Sequence, residues 1–307
     1  MNGEIPMNNE KKSSHIWRGM TRDGSARVLV IDSTEIVRTA VSLQHPSRTA
    51  TAALGRLLTA ASMIGSLQGE ACDTLTLHVD GDGPVGRMVA VSDWLGNVKG
   101  CASYPHADLP VRGRDGKLDV GALVGRGSLH VVRDNGTGEP HVGTITLRSG
   151  EIGEDIAAYF AESEQIPTLC SVGVLVSADG TVLGAGGVLI QLLPFADETV
   201  IASLEKNASS LTALSRDFAA GVSCEEIAAR ALHGIEYDPF DDLAVAFVCD
   251  CSRKRMEKGL KSISRKELLS MLDEEEAEKG VRSLTAECRF CGRTYTFSEK
   301  QLGISGR

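Results

Sequence analysis

The sequence lacks the long hydrophobic segments that membrane and secreted proteins carry. No apolar run approaches the roughly 20 residues that a membrane-spanning helix requires, so we expect no membrane association. The first twenty residues are mostly polar and contain no apolar core of a signal peptide, which predicts a disordered tail over residues 1–20. Together these two absences predict a cytoplasmic protein.

Positive charge is also scarce. Lysine and arginine total 32 against 41 aspartates and glutamates, which gives a formal net charge of −9. Nucleic-acid-binding proteins normally need a basic surface, so we expect no nucleic-acid partner. The 307 residues are 42% hydrophobic and 24% charged, which is ordinary for globular domains, and the length predicts about two of them.

Complete catalytic motifs are absent. Gly81, Gly83 and Gly86 match a dinucleotide-binding glycine pattern, but Pro84 and the residues that follow predict a strand where that site needs a helix. Ser203 and Lys206 match the spacing of acyl-transferring serine enzymes without their partner motifs, so a helix surface explains them better. The seven histidines are scattered without metal-ligand spacing. We therefore expect no enzyme.

Cysteine is the residue type whose pattern is informative. Four of the eight cysteines form two close pairs, Cys249 with Cys251 and Cys288 with Cys291. Four thiolates suit tetrahedral Zn²⁺, so these residues are predicted to bind one zinc ion; the alternative is four unrelated buried thiols. Gly292 permits a tight turn after the second pair. The isolated cysteines are predicted to be small buried apolar groups: Cys72, Cys101, Cys170 and Cys224.

Hydrophobic periodicity predicts an α+β fold with an antiparallel sheet in the N-terminal domain, over residues 21–195. Residues 196–243 are predicted to be a helical segment and hinge linker, in which Tyr237-Asp-Pro239 forms either a hinge or an extended crossing. Residues 244–307 are predicted to be a small zinc-binding domain, with a helix capped by Ser264 and a hairpin around the second cysteine pair. Predicted strands lie near residues 28–31, 74–80, 85–91, 98–103, 128–133, 142–148, 171–177 and 182–193, and helices near residues 34–45, 47–69 and 152–162.

The small C-terminal domain is near the size at which an apolar core alone gives marginal stability. Structural zinc contributes about 10 to 16 kcal/mol of apparent binding free energy in small zinc-finger peptides. Loss of the thiolates to oxidation is therefore expected to disorder this domain. The newly exposed residues would include Leu268, Leu269, Leu272 and the segment 240–247.

Basic residues flank the four cysteines in sequence: Arg253, Lys254, Arg255, Arg289 and Arg293. Cationic neighbours favour thiolate over thiol and would make the cysteines reactive. The same residues could instead form a solvated basic face or a nucleic-acid-binding patch.

Several segments resemble the heat shock protein 33 family of redox-regulated holdase chaperones. They are Gly81-Asp-Gly-Pro84, Tyr159-Phe-Ala-Glu-Ser-Glu-Gln-Ile-Pro-Thr168, Gly186-Gly-Val-Leu-Ile-Gln-Leu-Leu-Pro194, Tyr237-Asp-Pro239, Cys249-Asp-Cys-Ser252 and Cys288-Arg-Phe-Cys-Gly292. The similarity runs from about Arg18 to Leu302. Two features depart from it: the polar N-terminal extension and the 36 residues between Cys251 and Cys288.

The resemblance implies a redox-controlled chaperone that needs no ATP. When reduced, Cys249, Cys251, Cys288 and Cys291 would bind one zinc ion. Oxidants would convert them to Cys249–Cys251 and Cys288–Cys291 disulfides, release zinc and loosen the linker. The loosened linker and adjoining apolar surface would bind unfolded or partly unfolded client proteins, and the active form would be a homodimer.

Two other function classes compete with this one. A zinc-ribbon nucleic-acid binder would bind RNA or DNA in its reduced form, and the net negative charge counts against it. A thiol-disulfide oxidoreductase would need a thiol pair at a strand-to-helix junction, which neither pair is predicted to have. We rank the redox-regulated chaperone first, the nucleic-acid binder second and the oxidoreductase third.

Overall fold

A computed structural model describes residues 13–113 and 115–304, which form two compact units divided between Val248 and Cys249. The described strands are β1 (Ser14–Thr21), β2 (Ala26–Asp32), β3 (Thr74–Gly81), β4 (Arg87–Asp93), β5 (Val98–Ala102), β6 (Gly127–Asp134), β7 (His141–Thr146), β8 (Thr168–Val176), β9 (Val182–Leu192), β10 (Tyr237–Val245), β11 (Ser283–Glu287) and β12 (Thr294–Ser298). The described helices are α1 (Thr34–Gln44), α2 (Arg48–Gly65), α3 (Val120–Val124), α4 (Gly153–Tyr159), α5 (Glu198–Ala208), α6 (Leu214–Ala219), α7 (Cys224–Ala231), α8 (Arg253–Lys261) and α9 (Arg265–Lys279). A π-helical turn, Phe160–Glu164, follows α4, and a 3₁₀ turn, Ser209–Leu211, follows α5.

The first unit contains two five-stranded sheets where one antiparallel sheet was predicted. Their strand orders are β10-β1-β2-β9-β8 and β5-β4-β3-β6-β7. All pairings within them are antiparallel, which confirms the predicted α+β class. Helix α2 contacts strands of both sheets and is buried on nearly every face, as a helix between two sheets must be.

The prediction of a disordered tail over residues 1–20 is wrong from Ser14 onward, because β1 pairs with β2 and with β10. Residues 1–12 lie outside the described residues. Ile16 is fully buried and Trp17 is 4% exposed. The polar average of the first twenty residues concealed these two apolar positions, and their strand partners are distant in sequence.

Of the two alternatives predicted for Tyr237-Asp-Pro239, a hinge or an extended crossing, the structure shows the extended one, because these residues begin the edge strand β10. Proline cannot donate a ladder hydrogen bond, and an edge strand tolerates it. Pro239 lies opposite Gly19, beside a register shift in the pairing with β1. The chain then continues to Val248, whose amide donates a hydrogen bond to the Val98 carbonyl at 2.9 Å.

The predicted helical segment forms α5, α6 and α7, which cover one face of the first sheet. Its buried side chains include Leu204, Leu211, Leu214, Phe218, Ile227 and Leu232, together with Cys224, Ala228 and Ala231, whereas Val200 is half-buried. On the sheet side they meet Trp17, Ala26, Val28, Val30, Val188 and Ile190. A Cβ atom at Gly186 would lie 2.1 Å from the Phe218 ring, so glycine is required for this close packing. The segment therefore shares a core with the sheet.

The second unit contains α8, α9 and the two-stranded sheet β11-β12. The predicted hairpin is confirmed, and the Ser264 hydroxyl caps α9 by accepting from the Glu267 amide at 3.3 Å. Six buried apolar residues make up its core: Leu268, Leu272, Leu284, Phe297, Leu302 and Ile304. Helix α8 was not predicted, because its strongly charged sequence buries no residue.

Candidate metal centre

The structure brings the four paired cysteines together in the second unit. Cys249 and Cys251 precede α8, while Cys288 and Cys291 lie in the turn that joins β11 to β12. Their Sγ atoms all lie within 4.8 Å of one another. Cys288 is buried and the other three are half-buried.

The sulfur separations suit a shared metal ion. The Sγ atoms of Cys249 and Cys288 lie 3.6 Å apart, and those of Cys251 and Cys291 lie 3.4 Å apart. A tetrahedral site with Zn–S bonds of about 2.3 Å places its sulfurs about 3.8 Å apart, whereas a disulfide requires about 2.05 Å. The four thiols are therefore free in this structure and spaced for metal coordination.

Backbone hydrogen bonds shape the turn that carries the second pair. The Gly292 amide donates to the Cys288 carbonyl at 2.8 Å, and the Cys288 amide donates to the Arg293 carbonyl at 2.9 Å. Gly292 has a φ of 70°, the left-handed conformation that its predicted role requires. The Arg293 amide also donates to the Cys291 sulfur, as the Cys251 amide does to the Cys249 sulfur. Such N–H···S bonds stabilise thiolates, so the backbone suits anionic ligands.

The four thiols do not share one protonation behaviour. Burial raises the pKa of Cys249 and of Cys291 above the ordinary thiol value. Burial acts in the same direction on Cys251, but hydrogen bonds from Tyr295 and the other thiols outweigh it and lower its pKa to about 7. Cys251 therefore ionises more readily than Cys249 and Cys291 when no metal is bound.

Tyr295 is the site residue that the sequence analysis missed. Its hydroxyl lies 3.2 Å from the Cys251 Sγ and 3.2 Å from the Cys251 carbonyl oxygen, so its one proton can be donated to either atom and is drawn to the sulfur once the thiol ionises. Its own pKa is raised, chiefly by the hydrogen bond to Cys251. The predicted hairpin places Tyr295 close after Cys291. The sequence contains no signal that Tyr295 faces the other cysteine pair.

Two of the basic residues predicted to surround the site have other partners. Arg253 donates to the Thr296 carbonyl at 2.6 Å and lies 4.5 Å above the Phe297 ring centre. Arg255 pairs with Asp250. Arg293 interacts electrostatically with Tyr295, Cys251 and Cys291, and these contacts raise its pKa. The prediction that basic residues act on the thiols is thus supported for Arg293. Arg253 and Arg255 instead contact Thr296, Phe297 and Asp250 of the second unit.

The isolated cysteines lie elsewhere. The prediction of burial is confirmed for Cys224, wrong for the exposed Cys72, and only partly met by Cys101 and Cys170, which are half-buried. Burial raises the pKa of Cys170 and of Cys224 to about 12, so both are poor nucleophiles. Within residues 13–113 and 115–304, the paired cysteines are the one group of three or more potential ligands close enough to share a metal, and it includes no histidine.

The glycine and serine motifs have no catalytic setting. Gly81–Gly86 joins β3 to β4, so a strand follows it, as predicted. Ser203 lies on α5 and donates to the Thr199 carbonyl at 2.8 Å. No helix among the described residues is long and apolar enough to cross a membrane.

Comparison with known proteins gives consistent matches over nearly the whole chain. The family model described as Hsp33 protein matches residues 14–298. A 33 kDa chaperonin of Lachnoclostridium phytofermentans is 40% identical over 290 residues, covering 94% of this chain and 97% of the relative. One from Desulforamulus reducens is 41% identical over 289 residues, covering 94% and 95%. The crystal structure of a 33 kDa chaperonin (heat shock protein 33 homolog) from Thermotoga maritima matches with a TM-score of 0.84 and 32% identity, covering 95% of this chain and 97% of that one.

Proposed function

This chain belongs to the Hsp33 protein family, and on that premise we propose that it is a redox-regulated chaperone that holds unfolding proteins without ATP. The observation that carries the proposal is the group of four free thiols within 4.8 Å of one another in a unit with a small core. Relatives that share 40% and 41% identity are named chaperonins. The proposal includes a cytoplasmic location, no enzymatic activity, and no nucleic-acid or membrane partner.

In the reduced state, Cys249, Cys251, Cys288 and Cys291 would hold one Zn²⁺ as thiolates. A bound zinc ion contributes about 10 to 16 kcal/mol of apparent binding free energy to small zinc-finger folds. The core of the second unit consists of six buried apolar residues besides Cys288. Its order should therefore depend on the thiolates remaining bound to metal.

Oxidation would form the disulfides Cys249–Cys251 and Cys288–Cys291. With hydrogen peroxide, each thiolate pair gives up two electrons and forms one S–S bond, while the O–O bond breaks and the peroxide takes up these electrons and two protons from solvent to give two waters. Two disulfides thus consume two peroxides and remove all four metal ligands. Any pairing must bring sulfurs now 3.4 Å or more apart to about 2.05 Å, which distorts the site further.

Loss of the site would expose Leu268 and Leu272, which are 3% and 0% exposed in the folded unit. Within the predicted segment 240–247, Phe240 is already 59% exposed, so the switch need not uncover it, whereas Val245 is buried. Residues 246–248 follow β10 directly and hydrogen-bond to Val98. Disorder that begins at Cys249 would therefore spread along the chain through residues 246–248 into β10.

The client-binding surface would be the sheet face beneath α5, α6 and α7. Its largest apolar side chains are Trp17, Val28, Val30, Val188 and Ile190. Detachment of the helices would expose this patch and their own apolar faces together. Contiguous exposed apolar surface is what unfolding proteins bind, and it would also favour pairing of two activated chains as a homodimer.

One experiment tests the central claim. Zinc content and suppression of client aggregation are measured on the same samples across a hypochlorous acid titration. The control is the Cys249→Ser/Cys288→Ser variant, which lacks two of the four ligands and should therefore suppress aggregation without oxidant. We expect zinc loss and suppression to rise together in the wild-type protein and to fall together after dithiothreitol and zinc are restored. Equal suppression in the reduced and oxidised wild-type protein would refute the redox switch.

A further inference from the structure

A cavity of about 410 Å³ lies in the first unit, away from the four clustered thiols. Arg48 and Arg56 of α2 form one wall, and the edge strand β8 forms the floor. Residues 212–216, where the helical segment enters α6, close another side. The cavity therefore has walls from both the sheet core and the helical segment that covers the first sheet.

The charge of this cavity is opposite to that of the chain. Four cationic residues line it: Arg48, Arg56, Lys117 and Arg216. No aspartate or glutamate is found among its described lining residues, although the whole chain has a net charge of −9. Arg56 is paired with Glu151. Arg48, Lys117 and Arg216 have no carboxylate partner among the described residues, so an anion in the cavity would reduce the repulsion among these three cations.

The arginines also retain unused hydrogen-bond donors. The Nε atoms of Arg48 and Arg56 are buried and have no partner among the described residues. Arg56 is held in place by its ion pair with Glu151 and by a 3.3 Å hydrogen bond to the Glu151 carbonyl. Arg48 makes no side-chain hydrogen bond or ion pair with any residue that the structure describes. Buried donors without acceptors are costly, so a ligand with several oxygens would stabilise the site.

We propose that this cavity binds an anion that carries two or more linked phosphate groups. A phosphate group carries about 1.5 to 2 negative charges near neutral pH and several strong acceptor oxygens, so a linked pair matches the three cations that have no carboxylate partner. A single carboxylate would leave most of the positive charge uncompensated. Arginine is also the side chain best suited to bind phosphate oxygens through two donors at once.

Such a ligand would join the sheet core to the helical segment, because Arg48 and Arg56 belong to α2 and Arg216 belongs to α6. A ligand that binds only the packed arrangement stabilises it by RT ln(1 + L/Kd), where L is the free ligand concentration, so the stabilisation rises with the logarithm of that concentration above Kd. It would therefore raise the oxidant dose needed for activation. This consequence rests on the proposed chaperone function, whereas the binding itself does not.

The test is isothermal titration of the reduced, zinc-loaded full chain with pyrophosphate at constant ionic strength. The test variant is Arg48→Gln/Arg216→Gln, and Lys206→Gln, which removes an exposed cation from α5 outside the cavity, is the matched control. We expect wild-type and Lys206→Gln proteins to bind equally and the double variant to bind at least about tenfold more weakly, from the loss of two charge-assisted contacts. Pyrophosphate can also withdraw zinc from the thiols, and the heat that persists in the double variant measures that contribution.

Hydrogen exchange of residues 209–219 gives an independent readout that needs no chaperone assay. Pyrophosphate should slow exchange there in the wild-type protein and not in the double variant. No saturable binding at millimolar pyrophosphate, or equal affinity in the wild-type and double-variant proteins, would overturn the site. Binding with the expected variant effect but an unchanged oxidant threshold would uphold the site and count against its link to activation.

Discussion

The phenolic oxygen of Tyr295 lies 3.2 Å from the Sγ of Cys251. Tyr295 stands on β12, whereas Cys251 precedes α8, so this contact joins the hairpin that carries one cysteine pair to the segment that carries the other. The hydroxyl is among the groups that lower the pKa of Cys251 to about 7, against the effect of burial. Tyr295 therefore positions the Cys251 thiol and stabilises its anion.

Replacing Tyr295 with phenylalanine tests this role directly. In metal-free, reduced Tyr295→Phe protein we expect the pKa of Cys251 to rise from about 7 toward the ordinary thiol value, because one donor to the thiolate is lost. Less thiolate at neutral pH means slower alkylation by iodoacetamide, read at Cys251 by peptide mass spectrometry. Tyr104→Phe, at an exposed tyrosine in the first unit, is the control. An unchanged alkylation rate in Tyr295→Phe would show that the hydroxyl does not act on the thiolate.

Leu272 and Met271 offer a matched pair for testing how much the second unit depends on its apolar core. Leu272 is fully buried and Met271 is 36% exposed. Leu272→Ala should lower the free energy of unfolding of the second unit by about 2 to 5 kcal/mol. That loss is larger than the stability that a core of this size provides without metal. Because the metal-free unit is expected to be disordered in every variant, the comparison is made with zinc bound. We expect zinc-loaded Leu272→Ala to remain folded but to exchange its α9 amides faster than the wild type. Zinc-loaded Met271→Ala should exchange as the wild type does, and similar losses in the two variants would contradict the core assignment.

Arg282 links α9 to the end of the hairpin through three ion pairs. Its guanidinium lies 2.6 Å from Asp273, 2.6 Å from Glu276 and 2.8 Å from Glu299. These contacts raise its pKa, with Glu299 the largest contributor. Arg282→Met should lower the melting temperature of the second unit, and the loss should shrink in high salt because the pairs are partly exposed. Lys258→Met on α8 should have little effect, and a salt-independent loss in Arg282→Met would point to packing instead of charge.

Phe218 tests whether the helical segment covers the client-binding surface. The residue is 6% exposed and packs against Gly186 of the first sheet. Phe218→Ala should lower the free energy of unfolding by about 3 to 5 kcal/mol and weaken the packing of α6 on the sheet. We expect the reduced, zinc-loaded variant to suppress aggregation and bind a hydrophobic dye without oxidant. Leu183→Ala, at a side chain that is 44% exposed, should stay inactive when reduced. A loosened but inactive Phe218→Ala protein would place the client surface elsewhere.

Local patterns predicted the parts of the fold that depend on neighbouring residues. Alternating apolar positions identified β3 and β6, and the turn around Cys288 and Cys291 predicted the hairpin β11-β12. The sequence could not show that β1 lies between β2 and β10, because the pairing of β1 with β10 joins residues more than two hundred positions apart. The division into two sheets could not be predicted either, since the same alternation of apolar and polar residues fits strands of one sheet and strands of two.

In the candidate site, too, features set by neighbouring residues could be predicted and contacts between distant residues could not. Four cysteines in two close pairs identify a metal group because thiol spacing is itself the chemical signal. The contacts of Tyr295 with Cys251, and of Arg253 with Phe297, depend on how α8 returns to the hairpin. Flanking arginines therefore looked alike in sequence, although Arg255 pairs with Asp250 and Arg293 acts on the thiols.

Metal affinity should fall as the pH is lowered, and the pKa values determine how steeply. Metal binding requires thiolates, so each thiol that is protonated in the metal-free protein must release a proton. Cys249 and Cys291 have raised pKa values and remain protonated throughout the neutral range. The proton on each of these two thiols should weaken the apparent zinc affinity by about tenfold for every unit by which the pH falls. Below the Cys251 pKa of about 7 the proton of Cys251 joins the exchange as well, so the slope should steepen there.

Chelator competition between about pH 8 and pH 6 measures this dependence. In Tyr295→Phe, the pKa of Cys251 is raised, so its thiol becomes protonated at a higher pH as the pH is lowered. The steeper fall in zinc affinity should therefore begin at a higher pH than in the wild type. Tyr104→Phe should follow the wild-type curve. Since weaker zinc binding leaves the thiols more accessible, mild acid should lower the amount of hypochlorous acid needed to release the metal. A zinc affinity that does not change across this range would mean that all four thiols are already ionised in the metal-free protein, which would contradict the burial effects at Cys249 and Cys291.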